Sequence, residues 1–274
     1  MMRTAEVVVV FEEPLQNAAL EVTRIYKVLK AELEKTLGWE LNIRPEIVLV
    51  KERETFLRMA RRPYFVALAV PAQNLVVIDY SKMNVHPFTL STTLKHELCH
   101  LLLHHHIGGE SLPRWLDEGI SQWLSDGVAE IIRGRSRSAL QAAILSGQHL
   151  DVQKMSRRFP DDQRSLELAY EQSKSLVEYI RREYGQAGLL NILAGLKDGV
   201  GLDGAIRNSL STSLAELEAE WLNHLKKRTT WFSYLATNLY AILFFLAALM
   251  TIVAFIRRLN RKRNYEDEED DGPC

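Results

Sequence analysis

The sequence predicts an α+β domain followed by one C-terminal membrane-spanning helix, on three observations. Short β-branched runs alternate with helical patterns up to about residue 80, the patterns from 90 to 228 are helical only, and Thr229 to Ile256 contains no charged residue. The expected boundaries are 1–228 for the folded domain, 229–257 for the membrane helix and 258–274 for a basic, then acidic, disordered tail.

Glu6-Val7-Val8-Val9-Val10-Phe11 reads as a first strand. A helix follows from Leu15 to Leu37, with Leu20, Val22, Ile25, Tyr26, Val28, Leu29 and Leu33 on its apolar side and Gly38 as its stop. Ile47 to Val50 is a second strand and Glu52 to Ala60 a short helix. Phe65–Val70 and Asn74–Asp79 form a hairpin around Pro71-Ala72-Gln73, which completes a small mixed sheet. The next helix carries an apolar stripe, Leu90, Leu94, Leu98, Leu101 and Leu102. Its start falls within Pro87-Phe88-Thr89-Leu90-Ser91.

On that helix stands His96-Glu97-Leu98-Cys99-His100, a match to the H-E-x-x-H zinc pattern. Residues four apart lie about 40° apart on a helix, so both imidazoles can face one ion, with Glu97 one step round as a base. Two residues compete as third ligand. His106 stands where an H-E-x-x-H-x-x-G-x-x-H pattern would place it, but Leu103 occupies the glycine position and does not favour the turn. Glu118 would project from a second helix opened by Pro113, after Gly108-Gly109 ends the first. Two histidines and one glutamate leave a fourth zinc position open, as catalysis requires.

His96-Glu97-x-x-His100 followed by Pro113-Arg114-Trp115-Leu116-x-Glu118-Gly119 resembles the gluzincins, and among them the bacterial peptidase MA-like metallohydrolases. The likeness continues in Ala169-Tyr170-Glu171-Gln172-Ser173-x-Ser175-Leu176-Val177-x-Tyr179-Ile180, in Tyr184-Gly185 and in Leu214-Ala215-Glu216-Leu217-Glu218-x-Glu220-Trp221, and covers about Ala5 to Lys227. The resemblance implies a zincin-like fold, with sheet and active-site helix followed by a helical subdomain. It implies zinc held by His96, His100 and Glu118, Glu97 as general base, and Tyr170 as donor to the oxyanion; Tyr170 also reads as a packed aromatic. In zincins an edge strand beside the cleft pairs with extended substrate, and 74–79 is the segment expected here. The G-x-M-x-N pattern of gluzincin aminopeptidases does not occur, which favours an endopeptidase.

Beyond Glu118, helices are expected at 121–128, 138–145, 165–184, 187–196, 202–209 and 214–225, with Arg133–Arg137 and Arg157–Asp162 as polar connections. The net charge of −1 draws in no nucleic acid. Cys99 lies inside the motif and Cys274 at the last position, so they form no disulfide framework, and Cys99 reads as a small core residue.

Leu235 to Ile256 is almost wholly apolar and long enough to span a hydrocarbon core of about 30 Å. Trp231, Phe232, Tyr234 and Tyr240 gather at one end as an interfacial belt. Lys226-Lys227-Arg228 precede the span; Arg257, Arg258, Arg261, Lys262 and Arg263 follow it. This asymmetry favours a cytoplasmic tail and a folded domain outside, which would require an export signal ahead of Ala5; a cytoplasmic domain with a translocated tail is the other reading. The expectation is a membrane-anchored zinc metallopeptidase acting on a peptide or protein. The other reading is a catalytically inactive zinc-binding scaffold at the membrane, against which an intact Glu97 argues.

Overall fold

The computed structural model describes residues 1–60, 63–108, 110–125, 139–237 and 243–257. The chain divides into two compact units, Met1–Asn223 and His224–Cys274. In the first, a five-stranded sheet has the order β1 (Met2–Arg3), β2 (Val8–Phe11), β3 (Glu46–Val50), β5 (Leu75–Asp79), β4 (Ala67–Val70). The three middle strands are parallel and both edges antiparallel. Parallel neighbours need a crossover, and two helices supply it: α1 (Gln16–Leu37) between β2 and β3, and α2 (Arg53–Ala60) between β3 and β5. Gly38 ends α1 in the left-handed conformation, at φ 72°, as its position predicts.

The hairpin forms with Val70 opposite Leu75, and a 3₁₀ turn at Pro71–Gln73 reverses the chain. Its second strand is not the edge, however. β5 pairs with β3 on its other side, and Val76 to Asp79 are buried, so the free edge belongs to β4. An alternating run shows that a strand exists but not which neighbour it takes, hence the misplaced expectation for 74–79. Asp79, wholly buried, ends β5 with its Oδ2 2.8 Å from Arg53 Nη1. The same guanidinium donates to the carbonyl of Pro63, 2.6 Å away, so α2 holds the chain entering β4.

The helix of the H-E-x-x-H motif, α3 (Leu90–His106), is capped by Thr89, whose hydroxyl accepts from the Thr92 amide at 3.2 Å. A one-sided apolar stripe was expected, yet from His96 to Leu103 every residue is buried. The helix touches α1, β4, β5 and α4 (Arg114–Leu124), so it is enclosed rather than half-exposed. It stops at Ile107, before the glycine pair, and Pro113 caps α4.

Helices complete the unit: α5 (Ala139–Ser146), α6 (Val152–Arg157), α7 (Gln163–Lys197), α8 (Leu202–Leu210) and, as far as Asn223, α9 (Leu214–Thr237). α6 was not expected and ends at Arg157, where the polar connection 157–162 begins; Asp151 caps it, and Val152 and Met155 are buried. α7 is two segments meeting at Gly185, whose φ of 74° breaks the helical path where the sequence leaves a gap between 184 and 187. Residues 126–128 and 133–137 lie outside the described residues, as do Cys274 and the rest of the tail.

Among the described residues no helix is long and apolar enough to cross a membrane. Residues 243–257 are helical, with Phe244 78 % and Met250 68 % exposed, whereas 238–242, in the middle of the expected span, lie outside the described residues.

α4 seats against α7 through Gly119. A Cβ there would stand 2.5 Å from the Ser173 carbonyl oxygen and 2.6 Å from Val177 Cγ2, too close for any side chain. Gly119→Ala is therefore expected to destabilise the domain by about 1–3 kcal/mol through overpacking. A lowered urea midpoint checks this; an unchanged midpoint would show that the helices separate at no cost.

Candidate metal centre

α3 and α4 bring His96, His100 and Glu118 together. His96 and His100, one turn apart, place their Nε2 atoms 3.1 Å from each other. Glu118 Oε2 lies 3.7 Å from the first and 3.6 Å from the second. All three residues are buried.

The neighbours decide what these atoms present. Asp117 Oδ1 accepts from His100 Nδ1 at 2.7 Å, so the proton of a neutral His100 sits on Nδ1 and Nε2 carries a lone pair. Ser125 donates its hydroxyl to the Ser121 carbonyl at 2.7 Å, which leaves its oxygen to accept from His96 Nδ1 at 3.4 Å. His96 Nε2 therefore also carries a lone pair. Glu118 Oε1 accepts from Tyr170 Oη at 3.2 Å and from Arg114 Nη2 at 3.3 Å, while buried Oε2 accepts no hydrogen bond. With both histidines neutral, three electron pairs thus converge on one point, and among the described residues no other side chain donates to Glu118 Oε2. Such a set fits a cation.

Without a metal, a proton is the smallest cation available. Burial by itself pushes the His100 pKa down, but the Asp117 and Glu118 carboxylates outweigh it and hold His100 well above its ordinary value. Burial likewise raises Asp117, yet His100 and His104 hold it well below the carboxylate range. Glu118 is lowered against its own burial by His100, His96 and Arg114.

Glu97 follows His96 on α3 and is wholly buried. Tyr170 is also wholly buried, on α7, with its ring edge-on to Phe159 at 5.5 Å. Gln122 ties the same two helices, donating to the Tyr170 carbonyl at 3.0 Å. His106 stands elsewhere: α3 runs straight on, and His106 Nε2 meets the Glu40 carbonyl at 2.9 Å beside the Trp39 ring. Cys99 is buried, and burial raises its thiol pKa. Sequence reading missed Asp117 and His104, although His96, His100 and His104 repeat every four residues and Asp117 adjoins Glu118.

A cleft of about 340 Å³ opens onto the centre. Phe65, Leu68, Ala69 and Pro71, from β4 and its flanks, form an apolar wall; His100, His104, Arg114, Asp117 and Glu118 line it too. Edge strand β4 and two of the three converging residues thus share one opening.

The profile of the peptidase MA superfamily matches residues 61–227, more than half of the 274-residue chain, from the β4 approach through α3 and α4 into α9. The chain belongs to that superfamily. No curated protein matches it.

Loading the centre with a divalent ion must expel the proton held by His100, so metal affinity should rise with pH across the neutral range. Calorimetry in two buffers of different ionisation enthalpy should detect release of about one proton per ion. In the metal-free chain the sign for stability is opposite. A raised folded pKa contributes stability that is full below the unfolded value, about 6.5, and is lost as pH rises through the folded value. Buffer-independent heats would remove the proton from the account.

Proposed function

We propose that this member of the peptidase MA superfamily is a membrane-anchored, zinc-dependent endopeptidase with Glu97 as general base. One observation carries the reading: two imidazole nitrogens and a carboxylate oxygen from two helices converge within 3.7 Å of one another at a point reached from a cleft. Tetrahedral zinc with bonds of about 2.0–2.2 Å separates its ligand atoms by about 3.3–3.6 Å. The observed 3.1, 3.6 and 3.7 Å suit that ion with small shifts.

His96, His100 and Glu118 would hold the zinc. When bound, zinc acidifies water and polarises a carbonyl. Glu97 takes the proton from the attacking water and passes it to the leaving amine. Asp117 keeps His100 in the tautomer that offers Nε2, and Ser125 does so for His96. We assign Tyr170 to positioning rather than to the oxyanion: its hydroxyl engages Glu118 Oε1 and, with Arg114, turns Oε2 towards the histidines. Substrate backbone extends the sheet at β4, placing a side chain against Phe65, Leu68 and Pro71.

The membrane anchor is the apolar stretch 229–257. Its support is the absence of charge from Thr229 to Ile256 and the exposed apolar side chains of the 243–257 helix. Five basic residues after Ile256 against three just before Thr229 favour a cytoplasmic tail and an extracytoplasmic catalytic domain.

Three measurements test the reading. Glu97→Gln should keep zinc and lower kcat/KM on a peptide library by about 10²–10⁴; equal, undetectable hydrolysis by wild type and variant would leave the inactive scaffold. Glu118→Ala should lose tight zinc while His106→Ala retains it, and the reverse pattern would move the third ligand to His106. Full-length chain should resist alkaline extraction from membranes that releases a chain ending at Arg228; release of both would end the anchor assignment.

A further inference from the structure

We propose that His104 is a positioning residue of the metal centre, acting through Asp117 on His100; the inference rests on the metallopeptidase reading above. His96, His100 and His104 follow one another at intervals of four along α3, so all three lie on adjoining turns of one face. The first two face Glu118. The second and third grip Asp117: His100 Nδ1 is 2.7 Å from Oδ1 and His104 Nε2 is 2.9 Å from Oδ2. An ionised carboxylate only accepts, so both histidines donate to it.

This grip has two physical consequences. A carboxylate held at one oxygen can swing about its last torsion, whereas one held at both oxygens from two turns of a neighbouring helix cannot. Asp117 therefore stays in line with His100 and keeps its Nε2 lone pair aimed at the centre. Asp117 also precedes Glu118 on α4, so the His104 contact ties the turn bearing the third ligand to the helix bearing the other two. Losing His104 would leave Oδ2, on a residue only 8 % exposed, short of a donor.

The rest of the histidine run behaves differently. His105 is exposed, and His106 meets the Glu40 carbonyl, away from Asp117. The spacing of four, rather than richness in histidine, selects His104.

The test uses full-length chain, zinc alone as the probe, and competition with a chromophoric chelator. His104→Leu should weaken zinc retention about tenfold, the lower end of the effect of outer partners of ligand histidines. His104→Gln, whose amide can donate to Asp117, should recover most of the loss. In an Asp117→Ala background, His104→Leu should cost nothing more. Unchanged zinc retention in His104→Leu overturns the inference, as does an equal loss in the Asp117→Ala background, because His104 would then act through the fold at large. A glutamine variant as weak as the leucine variant also overturns it. Wild-type chain that holds no zinc would instead overturn the metallopeptidase reading on which the inference stands.

Discussion

Electron-rich groups repel one another, and this domain is built to hold three of them at one point. His96 Nε2, His100 Nε2 and Glu118 Oε2 stand within 3.7 Å of each other in a buried site. Each group is held from behind. Asp117 and Ser125 take the outward protons of the imidazoles, while Tyr170 and Arg114 take the outer oxygen of the glutamate. A cation at the centre turns the mutual repulsion into shared attraction.

Those rear contacts depend in turn on the packing of α4. It lies between α3, which bears the histidines, and α7, which bears Tyr170, so its position decides whether Glu118 reaches the centre. Gly119, the residue after Glu118, allows the close approach to Ser173 and Val177. Gln122, one turn further on, fixes the same contact by donating to the Tyr170 carbonyl. The placing of Glu118 and the packing of the helices are thus set by neighbouring positions of one helix.

The sheet acts at the other wall of the cleft. Parallel pairing of β5 with β3 drives β5 into the interior and leaves β4 at the edge, with Leu68 and Ala69 lining the cleft that His100 and Glu118 also line. Arg53 holds the approach to β4 through Asp79 and the Pro63 carbonyl. The edge of a sheet is usually a hazard for association; here it borders the opening that leads to the candidate metal centre.

By itself the sequence determined the succession of elements, because periodicity, capping residues and stop glycines act over a few neighbours. Most helices and strands lie where these local signals put them, and the H-E-x-x-H spacing alone places two imidazoles on one helical face. The straight run through Leu103 was equally legible, and α3 does carry His106 away from His96 and His100. Tertiary structure decided what local signals cannot carry: which strand became the edge, how completely α3 was enclosed, and where Tyr170 pointed. It also recruited Asp117 and His104, whose spacing was visible but whose partnership was not. Each of these depends on contacts between residues far apart in the chain, and short-range patterns restrict such contacts without choosing among them.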